Sequence, residues 1–243
     1  MGAVAGAVRR TPEERPARAA VLRAAAATVV AGLVLAAVWV ALGLLISRTG
    51  DSWPARLDRS ASVWMVDHRT PLLDGLTRVG SLLGQTLTKV VVTAVAALVI
   101  GIRLRSWLAV TFVVASTAIE GAVFLAVTTI VARPRPDVPR LEAVTVDSSF
   151  PSGHTGAAAA YAAIAVVVLA HTRRTWLRVL TVVLAVAVPA AVAASRMYRG
   201  AHYLTDVLAG LALGAACVLV VFVIIRRFLG SPTGGHGPRP PVR

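Results

Sequence analysis

Arg133-Pro134-Arg135-Pro136, then Pro151-Ser152-Gly153-His154, then Ser195-Arg196 followed by His202 and Asp206, are polar islands in an otherwise apolar chain. A guanidinium is always charged, and its planar fork matches the oxygens of a phosphate. Three of them, Arg133, Arg135 and Arg196, would repel one another if gathered at one place, and an anionic ligand removes that penalty. Ser152-Gly153-His154 reads as a helix start, where free backbone N–H groups and the positive end of the dipole favour an anion. Gly153 lets a ligand approach the backbone closely, and Ser152 adds a hydroxyl donor. Pro-Ser-Gly alone is also what a plain turn and N-cap look like; His154 in the same turn points towards chemistry. His202 and Asp206 stand four apart and so share a helix face. A carboxylate on one imidazole nitrogen fixes the tautomer and strengthens the other nitrogen as nucleophile or base. Such a pair alone is commonplace; Arg196 six residues upstream makes it specific. Together these residues suit the movement of a phosphoryl group or a proton beside a clamped anion.

Long apolar runs must position them. The chain has 243 residues, 57% apolar and 15% charged, where soluble domains carry about a quarter charged residues. Several runs approach the roughly 20 residues that span a bilayer core. The expected fold is all-α, a bundle of six transmembrane helices near residues 23–47, 87–102, 107–131, 155–171, 176–194 and 204–228. The first run is too long for the apolar part of a signal peptide and is expected to be retained. Residues 1–20 form a basic tail expected to be disordered, 21–229 a six-span domain with its motif core at 120–210, and 230–243 a flexible tail rich in Gly and Pro. Between spans one and two lies an insert, 51–85. Leu72, Leu73, Leu76, Val79 and Leu83 fall on one helical stripe, which suits a helix on the membrane surface or a packed cap over the bundle. Trp53 and Trp64 suit an interfacial aromatic belt. Pro189 is expected to kink span five, and Gly210 with Gly214 offers a small-residue face for close packing of span six. Cys217 lies inside an apolar run and, being the single cysteine, forms no intrachain disulfide.

The net charge is +14, and Lys89 is the only lysine. In a soluble protein such charge would suggest nucleic acid; here it reflects membrane topology, and no nucleic-acid partner is expected. With six spans both termini share a side. The loops and flanks on that side hold 14 of the 25 basic residues and two acids, Glu13 and Glu14. The positive-inside rule makes that side cytoplasmic. Counting crossings then brings all three motifs to the outer face of the cytoplasmic membrane.

The ordered pattern R-P, P-S-G-H and S-R-x5-H-x3-D resembles the type 2 phosphatidic acid phosphatase superfamily, which includes lipid phosphate phosphatases and vanadium haloperoxidases. The resemblance covers about 50–228. It implies a phosphohistidine mechanism: His202 attacks phosphorus, Asp206 orients it, and His154 protonates the leaving oxygen. Arg135, Arg196, Ser152 and the Gly153 N–H hold the phosphoryl oxygens. It implies a lipid phosphate or isoprenoid diphosphate substrate of the phosphatidic acid, phosphatidylglycerol phosphate or undecaprenyl diphosphate type, with no metal, no other cofactor and no obligate protein partner. One departure stands out. The family's first motif is K-x6-R-P, and the lysine position holds Thr128 counted from Arg135, or Ala126 counted from Arg133. Arg133 is expected to substitute for the missing cation, and nothing in the sequence places Lys89 there. Glu120 lies near the middle of span three, where an acid is costly and usually paired or functional. It faces the same way as Thr128 and is expected to meet an arginine or polar group inside the bundle. His68, His171 and His236 fall in loops or tails, outside the chemistry. Two alternatives share the motifs: a non-catalytic lipid-phosphate binding or transport protein, and a vanadate-dependent haloperoxidase, against which six spans argue.

Overall fold

The computed structural model describes residues 16–48, 50, 52–143 and 146–233. The expected loose termini fall mostly on 1–15 and 234–243, which lie outside the described residues, as does His236. Every regular element among the described residues is a helix: α1 Arg18–Ser47, α2 Trp53–Asp67, α3 Pro71–Leu82, α4 Thr86–Leu104, α5 Trp107–Ile130, α6 Gly153–Ala160, α7 Ala162–His171, α8 Thr175–Tyr198 and α9 Leu204–Phe228. Six helices are long and apolar enough to cross a membrane, with α6 and α7 forming one of them across a break at Tyr161. The protein is therefore a multi-pass helical membrane protein.

Local sequence explains several boundaries. Thr70 caps α3 by accepting the Leu73 N–H at 3.2 Å, and Pro71 follows at the first helical position, where a missing N–H costs nothing. Arg105 ends α4 in the left-handed region (φ 50°), and Ser106 starts α5 by accepting the Ala109 N–H at 3.3 Å. Span five runs four residues further than its apolar pattern, to Tyr198, so Arg196 lies within α8 rather than after it. Span four starts at Gly153, placing His154 in its first turn.

α5 and α9 form the centre of the bundle. Phe112, Val113, Val127, Leu213, Cys217 and Val221 are fully or almost fully buried there. α1 packs on both and donates the Trp39 indole N–H to the Ala209 carbonyl at 3.0 Å. In lipid the hydrophobic effect does not draw helices together, so close packing of small residues must. The α6–α9 crossing is built that way: a Cβ at Gly210 would collide with the Ser152 carbonyl and the Thr155 hydroxyl, and one at Gly214 with the Gly156 carbonyl and the Ala159 side chain. The insert forms two helices. α3 packs against α8 through Gly80, whose missing Cβ makes room for Ser195, and turns Leu72, Leu76 and Val79 outwards. Trp53 and Trp64 of α2 are likewise exposed. The turn between α3 and α4 sits over the start of α6, with Gly84 against His154 and the Tyr161 hydroxyl donating to the Leu83 carbonyl at 3.0 Å. One end of the bundle thus collects the ends of α5 and α8 and the starts of α4, α6 and α9.

Candidate active site

A cavity of about 450 Å³ opens at that end, lined among others by Arg135, His154, Arg196 and His202. Residues more than sixty positions apart in sequence meet there. Gly153 and Phe124 line it too, and Gly153 packs so tightly on the Phe124 ring that a Cβ would overlap it.

His202 sits in the short link between α8 and α9 and is buried. Its Nδ1 lies 2.7 Å from the Ser149 carbonyl oxygen. A carbonyl only accepts, so Nδ1 carries the proton and Nε2 keeps its lone pair. Nε2 lies 3.4 Å from Nη1 of Arg135. Burial, then the charges of Arg196 and Arg135, hold the His202 imidazole well below the usual histidine range, outweighing the opposing effect of the Ser149 hydrogen bond. The result is a neutral imidazole whose unprotonated Nε2 faces the Arg135 guanidinium.

The backbone clamps Arg135. It donates to the carbonyls of Val146 (3.1 and 2.7 Å), Ser148 (3.1 Å) and Ala201 (2.6 Å). These bonds fix the fork before any ligand arrives. Arg196 donates to the Ser81 hydroxyl at 2.7 Å and to Glu142, while its Nε is buried without a hydrogen-bond partner. The Ser152 hydroxyl is likewise buried and unpartnered. Of the two, Arg196 lines the cavity and Ser152 does not; an orphaned guanidinium N–H at the cavity fits an anion, because leaving it unmet has a desolvation cost. His154 faces the cavity with no hydrogen bond to its ring among the described residues.

Several expected residues sit elsewhere. Arg133 does not line the cavity. It bridges Asp58 of α2 (2.7 Å) and Asp206, donates to the Thr205 hydroxyl (2.8 Å), and stacks over the Tyr203 ring at 4.5 Å. Two buried carboxylates hold its charge, so it is not available as the replacement for the missing lysine. Asp206 accepts the Tyr203 N–H at 2.8 Å, capping α9, and its carboxylate stands 3.9 Å from Nδ1 of His202, beyond hydrogen-bonding distance. The Ser149 carbonyl, not Asp206, makes the direct bond to the imidazole. Thr128 is buried away from the cavity with its hydroxyl unpartnered. Glu120 is buried and pairs at 2.9 Å with a polar group of α4, the Lys89 ammonium, and Lys89 lines the cavity. His68 and His171 each bond the carbonyl four residues back, at 2.8 Å.

Sequence reasoning missed Asp58, Glu142, Ser149 and the place of Lys89. Glu142 binds Arg196 and Arg199 together, the latter at 2.7 Å. Neither acid has a motif around it; their only signal is charge near a span end. Ser149 acts through its backbone, which leaves no trace in residue identity.

The profile of the PAP2 superfamily matches residues 107–229, from the start of α5 to the end of α9. The search of curated proteins finds no match. Among solved structures, the chain is similar to a transmembrane PAP2-type phosphatidylglycerolphosphate phosphatase from Bacillus subtilis, with TM-score 0.68 and 21% identity over 79% of this chain and 96% of that one. It is also similar to LpxE of Aquifex aeolicus, with TM-score 0.53 and 23% identity over 68% of this chain and 94% of that one. At these identities the likeness speaks for the fold.

Proposed function

The chain belongs to the PAP2 superfamily, and on that premise we propose that it is a membrane phosphatase that cleaves a lipid phosphate monoester or diphosphate through a phosphohistidine. One observation carries the reading above the rest: a neutral His202 with an unprotonated Nε2 at a cavity lined by Arg135, Arg196 and a second imidazole, His154. In this reading Nε2 attacks phosphorus and forms an N–P bond while the P–O bond to the lipid breaks. The departing oxygen takes a proton from His154, which this scheme requires to enter the step protonated. The positive charge left on the His202 ring is met by the Ser149 carbonyl, with Asp206 behind it. His154, now neutral, takes a proton from water as that water attacks phosphorus; the N–P bond breaks and inorganic phosphate leaves. Arg135, Arg196, Ser152 and the Gly153 N–H hold the phosphoryl oxygens, in which fixed donors act on charge as it develops. The scheme needs no metal.

The cavity sits at the end of the bundle opposite the short basic loops, which supports placing it on the extracytoplasmic side, with substrate heads wet and tails in lipid. The decisive assay is phosphate release from a panel of lipid phosphates and diphosphates by the purified protein. His202→Ala should lower turnover by at least about 10³-fold, and acid-quenched wild type should carry label from ³²P substrate. Undiminished release by His202→Ala would refute the phosphohistidine, and binding without release would leave a lipid-phosphate carrier. Bromination with added vanadate would instead point to the haloperoxidase branch.

A further inference from the structure

The lone lysine lies in the same cavity as the two histidines, but at its inner end. Lys89 is in the first turn of α4, and its ammonium donates to Glu120 Oε2 at 2.9 Å. That is its one hydrogen bond among the described residues, although an ammonium has three N–H donors, and its side chain keeps 16% of its surface open. The other Glu120 oxygen has no partner and faces Gly156 of α6, where a Cβ would come within 2.5 Å of it. Gly156 and the cavity-lining Ala157 follow His154 along α6 by two and three residues, so this pair lies roughly 3–4.5 Å further along the helix than His154. His202, by contrast, sits ahead of the start of α6, on the Ser149 carbonyl. In-line transfer sets nucleophile and leaving group on opposite sides of phosphorus. A group departing past His154 therefore heads towards Lys89, with the apolar side chains of Leu87 and Phe124 beside it.

We infer that Lys89, held by Glu120, is a second anion subsite that receives the leaving group's own phosphate, so that the preferred substrate class is a lipid diphosphate rather than a monophosphate. The inference rests on the phosphatase reading above. When the terminal phosphoryl passes to Nε2 of His202, the P–O–P bond breaks on the terminal side. The lipid monophosphate leaves with a proton from His154 and its remaining charge on Lys89. Glu120 keeps the ammonium charged and aimed at this depth, where an unpaired cation would be costly, and two donors remain for the ligand.

The test compares farnesyl diphosphate with farnesyl monophosphate in detergent micelles, so that the tail is constant. The ratio of kcat/KM for diphosphate over monophosphate should favour diphosphate in the wild type. It should fall by roughly tenfold or more in the double variant Lys89→Met/Glu120→Gln, which leaves no buried charge unpaired, the loss of a charge-assisted contact being of that order. Lys89→Arg should recover much of the ratio. A ratio that stays the same in the folded double variant, or an equal loss on both substrates, overturns the inference while leaving the phosphatase reading intact. A wild type that cleaves neither compound nor any other lipid phosphate overturns both. Inhibition of the wild type needs no variant: pyrophosphate should compete at least about tenfold more tightly than orthophosphate, and equal inhibition overturns the subsite.

Discussion

In the proposed mechanism His202 is the nucleophile, and only a neutral imidazole could attack phosphorus, so its protonation state is the residue-scale question. His202 is kept neutral by burial first and by Arg196 and Arg135 second. With its pKa pushed below the ordinary value, the ring should remain unprotonated as pH falls through about 6.5, where a free histidine takes up a proton. The folded state therefore loses stability as pH drops below that value, since the unfolded chain binds the proton and the folded chain does not. Arg135→Ala removes one positive neighbour, so the His202 pKa should move up towards the usual range. Histidine ring NMR shifts followed against pH in micelles would check this, and a pKa that stays in place or falls would show that Arg135 does not set it. Arg133 shows the opposite arrangement. It shares a proline-flanked motif with Arg135, but carboxylates surround it, so it ties α2, the end of α5 and the start of α9 together rather than facing a ligand. Identical residue types two positions apart have separate jobs because their partners differ: backbone carbonyls hold Arg135 at the cavity, and carboxylates hold Arg133 away from it.

At the scale of elements, the start of α6 matters most. It carries Ser152, Gly153 and His154, and α9 reaches it through the missing side chain of Gly210. Gly210→Val would push into the Ser152 carbonyl and the Thr155 hydroxyl. It should cost about 1–3 kcal/mol in stability and a larger share of activity, because the displaced turn carries His154, the proposed acid. Gly75→Ala is the matched contrast: this exposed α3 glycine has open space where the Cβ would go, so alanine should stabilise by about 0.5–1 kcal/mol and leave turnover alone. Thermal unfolding in detergent and phosphate release, measured on both variants, would decide. Equal behaviour of the two would mean that the α6–α9 crossing does not position the site. The insert also takes part, since Ser81 of α3 holds Arg196 and the turn after α3 covers His154.

For the whole molecule, the chain's sidedness joins charge to function. Six spans alternate, the short basic turns 105–106 and 172–174 lie at one end, and the cavity lies at the other. In a Cys217→Ser background, a membrane-impermeant maleimide added to intact cells should label Arg140→Cys and not Arg173→Cys. The reverse pattern would put the cavity on the cytoplasmic side and exclude outer-leaflet substrates. Membership of the bundle was legible from composition and run length, since a bilayer leaves helices as the way to satisfy backbone groups in long apolar stretches. The motif residues were legible too. Arg135, His154, Arg196 and His202 each sit at a span end, and alternation of the spans forces those ends to one side of the membrane. What spacing along the chain could not reveal is which polar side chains pair with which. Arg133 turns to Asp58, 75 positions away, Arg196 to Glu142, and Glu120 to Lys89 across α4 and α5. Those choices depend on the rotation of each helix about its axis and on close approach at single glycines, and both arise when the helices pack against one another rather than within any one segment.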